Sequence, residues 1–188
     1  LGDVYKRQSK ANINCSIEDS LARFSPMMAA AKAARIPVRG YVSCITDCPY
    51  EGAVSPQRTA WVAQALFDMG CYEISLGDTI GQATPERLDK TLQAVLDSVP
   101  ASALAGHYHD TNQRALENIS LSLGHGIRVF DAAVGGLGGC PYAPGAKGNV
   151  ATEAVAALMQ SQGFETGLDL IKLEKAAQMA KGLVHETA

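Results

Sequence analysis

Strand-like segments alternate with amphipathic helical stretches at a spacing of roughly thirty residues, the length of one βα unit. Residues 38–44, VRGYVSC, are β-branched and aromatic, and Pro37 closes whatever helix precedes them. In SPQRTAWVAQALFDMG, Ser55 is the expected N-cap and Pro56 the first helical position. Val62, Ala65, Leu66 and Met69 share one face there, and Gly70 is the stop. YEISL (72–76) is the next strand. TPERLDKTLQAVLDSV repeats the grammar with Thr84 as cap, Pro85 as opener and Leu88, Leu92, Val95 and Leu96 as the buried stripe. ALAGHYH (103–109), the helical TNQRALENISLSLGHG and the strand IRVFDAAV (127–134) continue the series, followed by helices over 151–162 and 168–183. Upstream, SIEDSLARFSPMMAAAKAAR reads as a helix capped by Ser16. Such alternation predicts an α/β fold, a parallel sheet with helices outside it. Four repeats make half of a (β/α)8 barrel, which needs eight and about 250 residues, or a small open sheet.

Composition narrows the class. With 47% apolar residues in 188, the chain can build a core, and a net charge of −3 with mixed signs carries no footprint for nucleic acid or an anionic membrane. No apolar run approaches the roughly eighteen residues of a membrane span, so a soluble protein without membrane partners is expected. Five cysteines, Cys15, Cys44, Cys48, Cys71 and Cys140, are odd in number and irregular in spacing. They fit neither a disulfide framework nor a four-thiolate zinc site. Residues 1–8, LGDVYKRQ, extend no element and are expected to be a non-native tail, leaving 9–188 as the domain.

The chemistry-bearing residues cluster where strands end. In HYHD, alternation puts His107 and His109 on one face and Tyr108 on the other. Paired imidazoles at the carboxyl end of a barrel strand suit a metal site, although either ring also serves as an ordinary core donor. His125 reads as a solvent-side or helix-end partner. Asn149 precedes a helix and is either its N-cap or an oxygen ligand for a hard cation. SLGDT ends the second strand, and Asp78 and Ser75 are expected on the face of the imidazoles, with turn chemistry the plainer role for Asp78. In GGLGGCPYAPGAKGN, Cys140 lies between Gly139 and Pro141 with no apolar periodicity to bury it, as in a mobile flap carrying a proton-exchanging thiol. The glycine spacing matches neither nucleotide-binding pattern. Glu153, one turn beyond Asn149, complements a helix dipole, and only its nearness to Asn149 makes it a site candidate.

In order, NINCSIEDS, VRGYVSC, CPYEG, MGCYEISLGDTIG, HYHDT, GGLGGCPYAPGAKGN and ATE resemble the 3-hydroxy-3-methylglutaryl-CoA lyase family from Ser9 onward. GLGGCPY is the most specific of these segments. The resemblance implies a (β/α)8 TIM barrel, here about strands five to eight, that holds Mg2+ or Mn2+ and cleaves 3-hydroxy-3-methylglutaryl-CoA (HMG-CoA) to acetyl-CoA and acetoacetate in leucine degradation. It implies metal ligation by His107, His109 and Asn149, catalysis by Cys140, His107 and Asp78, a substrate contact at Ser75 and support of Asn149 by Glu153. It also implies an acyl-CoA substrate, a dimer at full length, and a cytoplasmic location in a bacterium or the mitochondrial matrix in a eukaryote.

The chain departs from that family in two places. An Arg-Asp pair on the family's first strand and a glutamate on its second are missing, so the 188 residues alone are expected to be inactive. AAVGG also replaces a more usual serine-containing stretch before the cysteine. Lyase action on a related acyl-CoA, a metal-dependent hydrolase and an inactive half-barrel module stand as alternatives. The hydrolase normally carries its HxH on the first strand and has no use for the Cys140 loop.

Overall fold

The structure is a computed structural model that describes residues 2–3, 14–139 and 148–185. In chain order the elements are β1 (Gly2–Asp3), α1 (Ile17–Ala33), β2 (Arg39–Ser43), β3 (Asp47–Cys48), β4 (Gly52–Ala53), α2 (Pro56–Asp68) and β5 (Glu73–Asp78). Then come α3 (Pro85–Leu96), β6 (Leu104–Tyr108), α4 (Ala115–Gly124), β7 (Val129–Asp131), α5 (Thr152–Ser161) and α6 (Leu170–His185). The helices begin where their caps predict. The side chains of Ser16, Ser55 and Thr84 accept from the backbone N–H of Asp19, Arg58 and Arg87 at 3.0, 3.2 and 3.4 Å.

Among the described residues the main sheet runs β1-β2-β5-β6-β7 with every pairing parallel. One row of neighbours is Tyr41, Ser75, Ala105 and Val129, and the next is Ser43, Gly77, His107 and Asp131. The opposite face carries Val42, Ile74, Leu76, Leu104 and Tyr108, all essentially inaccessible. These pack in one cluster with Val62 and Leu66 of α2, Leu88, Leu92 and Val95 of α3, and Ile119 and Leu123 of α4. The dry side of the sheet is thus its helix side, and the first face is left for polar groups.

That polar face is concave. Strands β2 and β7 are separated by β5 and β6, which in a flat sheet sets them roughly 14 Å apart. Yet Arg39 Nη1 of β2 donates to Asp131 Oδ2 of β7 at 2.9 Å. Curling of the sheet toward this face, as in a barrel wall, brings the two side chains together.

Two features escape the sequence reading. The antiparallel hairpin β3-β4 is locked to α3 by Arg87, which donates to Asp47 Oδ1 and to the Thr46 carbonyl, each at 2.7 Å. Residues 2 and 3, set outside the fold by the sequence reading, pair with Val42 and Ser43. An open sheet edge recruits backbone groups whatever side chains accompany them. The four described cysteines are buried and form no disulfide, the common state of cysteine packed as a small apolar residue. No helix among the described residues is long and apolar enough to cross a membrane.

Leu92 on α3 is fully buried, whereas Met179 on α6 is 73% exposed. Leu92→Ala should cost about 2–5 kcal/mol, and Met179→Ala should stay within about 0.5 kcal/mol of the parent. Urea unfolding followed by circular dichroism measures both.

Candidate metal and proton-transfer site

Alternation along β6 decides the placement of the two imidazoles. Tyr108 turns to the helix side, where its hydroxyl lies 2.8 Å from Ser122 Oγ of α4 and is buried. His107 and His109 therefore turn to the concave face, with ring centroids 5.4 Å apart. His109 is buried, and its Nδ1 has no hydrogen-bond partner among the described residues. Burial, with a smaller contribution from neighbouring His107, lowers its pKa to about 4. It is thus a neutral ring at pH 7, the form that ligates a cation.

The centre of the concave face is a carboxylate that the sequence reading missed. Asp131 Oδ2 accepts from Ser75 Oγ at 2.8 Å and from Arg39 Nη1 at 2.9 Å, and lies 3.4 Å from His107 Nδ1. Arg39 Nη2 stands 2.9 Å from Asp131 Oδ1, Nε donates to Glu73, and Nη1 also donates to the Tyr41 hydroxyl at 2.6 Å. Burial opposes both charges. Even so, hydrogen bonds from His107, Arg39 and Ser75 hold Asp131 well below the usual carboxylate range, and those to Asp131, Glu73 and Tyr41 hold Arg39 above its usual value. The signal available in the sequence was parity, because Arg39, Tyr41, Glu73 and Ser75 fall on one side of their strands. A cavity of about 120 Å³ opens beside this network, lined by Tyr41, Ser43, Ser75, Thr79, His107 and His109.

Asp78 is a correction. Three residues from Ser75, it has the opposite parity, and the structure puts it beside Tyr108 on the helix side, not with the imidazoles. Its carboxylate accepts from the backbone N–H of Gln82 at 3.1 Å and of Ala83 at 2.9 Å. Burial raises its pKa to about 6 against those donors. It shapes the loop 79–83 instead of facing the cleft. At the tip of that loop Gly81 has φ +65°, and a Cβ there would lie 2.8 Å from Thr111 and 2.9 Å from the His109 carbonyl. Asp78 thus acts through the loop that packs on the strand end bearing His109.

Asn149 is not a helix cap: Ala151 occupies the N-cap of α5 and makes no side-chain bond. Instead Asn149 pairs with His109 in an isolated antiparallel bridge, and its Nδ2 donates to the Leu137 carbonyl at 2.9 Å. With the amide nitrogen committed, the free acceptor is Oδ1. Glu153 does not bond Asn149. Its Oε2 accepts from Gly135 N at 3.0 Å, and its Oε1 lies 3.5 Å from Lys181 Nζ, so any support it gives passes through the 134–137 turn. His125 lies at the end of α4, with Nε2 2.7 Å from Asp89 Oδ1 of α3. Cys140 lies outside the described residues, but the flanks of its loop meet where Asn149 N donates to the Gly138 carbonyl at 3.1 Å. Among the described residues no three His, Cys, Asp or Glu side chains converge as a metal cluster. His107, His109 and the Asn149 amide oxygen could supply the mixed nitrogen and oxygen donors that divalent cations accept.

The HMGL-like family model matches residues 3–180. The chain is 57% identical over 165 residues to the mitochondrial hydroxymethylglutaryl-CoA lyase of Gallus gallus, covering 88% of this chain and 55% of that one. It is 54% identical over 170 residues to the 3-hydroxy-3-isohexenylglutaryl-CoA/hydroxy-methylglutaryl-CoA lyase of Pseudomonas aeruginosa, covering 90% of this chain and 57% of that one. It is also similar to the crystal structure of the HMG-CoA lyase from Brucella melitensis, with TM-score 0.94 and 55% identity, covering 96% of this chain and 64% of that one. The chain spans about half the length of the curated relatives it matches.

His109 in the metal-free chain should titrate near pH 4, not near its unperturbed value of 6.5. Because folding lowers this pKa, its contribution to stability is complete above about pH 6.5 and is lost as pH falls through about 4. Asp78, raised from 3.8 to about 6, has the opposite sign and weakens the fold as pH rises through about 6. Imidazole NMR titration reads the first value directly. His109→Gln should remove the acid-side loss from urea unfolding between those limits.

Proposed function

The chain belongs to the HMGL-like family, and from that membership we propose that it carries the cation-binding part of a lyase cleaving HMG-CoA to acetyl-CoA and acetoacetate. The observation that carries this reading is the pair His107 and His109 at the carboxyl end of β6, with Asn149 bridged to His109 and a cleft in front of both rings. The orphaned, buried His109 Nδ1 and the neutral ring fit a divalent cation, Mg2+ or Mn2+, held by His107, His109 and Asn149. Bound there, the cation supplies Lewis acidity to the substrate oxygens and stabilises an alkoxide.

In the reaction the tertiary hydroxyl gives up its proton, and the bond between C2 and C3 breaks. C3 becomes the ketone of acetoacetate, and the electron pair stays on C2 as the acetyl-CoA enolate, which takes a proton. His107, partly exposed at the cleft, takes part by holding the cation, its Nδ1 lying against Asp131. The Arg39, Glu73 and Asp131 network keeps the floor beneath it rigid, and Ser75, donating to Asp131, retains acceptor capacity toward substrate. Cys140 is the proton carrier in this proposal, taking the hydroxyl proton as thiolate and returning it to C2 of the enolate. The residues on either side of it, Gly138 and Asn149, are joined by a backbone hydrogen bond. The 54% identity to a lyase named for two 3-substituted glutaryl-CoA substrates makes the 3-alkyl group the natural variable in substrate range.

The test measures acetoacetate release from HMG-CoA with Mn2+ or Mg2+, for the chain alone and for the chain joined to the preceding part of a matching relative. His107→Ala and Cys140→Ala in the active form should each lower kcat about 10²- to 10⁴-fold, and chelation should abolish turnover. A folded, Mn2+-loaded chimera without cleavage of HMG-CoA or its isohexenyl analogue would overturn the reading.

A further inference from the structure

We propose that Asp131 is the positioning residue for His107, holding the ring as its Nδ1–H tautomer and turning the lone pair of Nε2 to the cleft. The proposal rests on the lyase reading only for what Nε2 then binds.

Asp131 is not a free carboxylate that happens to lie near a histidine. Oδ2 already accepts from Ser75 and Arg39, and Oδ1 lies against Arg39 Nη2. Arg39 is in turn held from its other side by Glu73 and Tyr41. Paired with a guanidinium in this way, the carboxylate offers only acceptor lone pairs, so His107 Nδ1 at 3.4 Å must be the donor. A neutral imidazole with its proton on Nδ1 has its lone pair on Nε2, at the other end of the ring. The ring is about one-third exposed and lines the cavity, so that end has room to meet a ligand.

The contrast within the same strand end sharpens the assignment. His109 Nδ1 has no partner among the described residues, so no carboxylate selects its tautomer. A carboxylate that fixes the ring of a ligating histidine commonly changes metal affinity about 10- to 100-fold when removed. A carboxylate that serves only as the counter-ion of Arg39 would change stability and leave the ring nitrogens as they were.

The measurement is long-range 1H-15N correlation of the histidine rings in the metal-free chain at pH 7.5, followed by Mn2+ titration by electron paramagnetic resonance. The wild-type chain should show His107 with a pyrrole-type Nδ1 and a pyridine-type Nε2. In Asp131→Asn the His107 tautomers should redistribute, the His109 signals should stay in place, and Mn2+ affinity should fall about 10- to 100-fold. A His107 that carries its proton on Nε2 in the wild-type chain overturns the proposal without any variant, as does an Asp131→Asn chain whose His107 shifts and Mn2+ affinity both equal those of the wild type. Wild-type chain that shows the Nδ1–H pattern but binds no Mn2+ supports the tautomer assignment and counts against the cation reading alone.

Discussion

A curled sheet can bury ionised groups on its concave side only where they neutralise one another, and the Arg39 to Asp131 pair does this across the four strands from β2 to β7. Removing two such charges from water is costly, and the attraction offsets that cost only when the remaining donors and acceptors are also filled. Here Glu73, Tyr41, Ser75 and His107 fill most of them, while Arg39 Nη2 meets Asp131 Oδ1 as an ion pair only. The pair belongs at once to the architecture and to the chemistry. It marks how far the sheet bends, and it ends on the ring that faces the cleft.

The helix side of the fold was legible because each signal there is local. Ser55, Pro56, Thr84 and Pro85 announce helix starts, and Leu88, Leu92 and Val95 fall on one stripe, so sequence and structure agree nearly residue for residue. The HYH segment was legible for the same reason, since alternation alone sends Tyr108 one way and the imidazoles the other. Asp78 shows where that rule outranks nearness to a strand end. It ends the strand beside the imidazoles, yet its odd separation from Ser75 puts it on the other face.

The concave network was hidden for a different reason. A charge at alternate positions of a strand looks like a solvent-facing residue, and only curvature reveals that Arg39, Glu73 and Asp131 face one another. Asn149 was ambiguous because a cap and a bridge precede a helix in the same way, and Ala151 took the cap position. The hairpin at 47–53 depends on Arg87, far along the chain, and β1 depends on backbone pairing alone. The carboxyl ends of the strands also hold unusual backbone: Cys44, with φ +57°, keeps its N–H on Thr79 Oγ1 at 2.9 Å. Such a conformation persists where neighbouring loops fix it, and here the loop after β5 does so.

The link from Lys181 to Glu153 has a reach that its place on the surface conceals. Glu153 passes that contact to Gly135, and two residues on, the Leu137 carbonyl grips the amide of Asn149. The last helix is therefore a splint for the Asn149 amide, and the direction in which its Oδ1 points is set partly by how firmly α6 is seated.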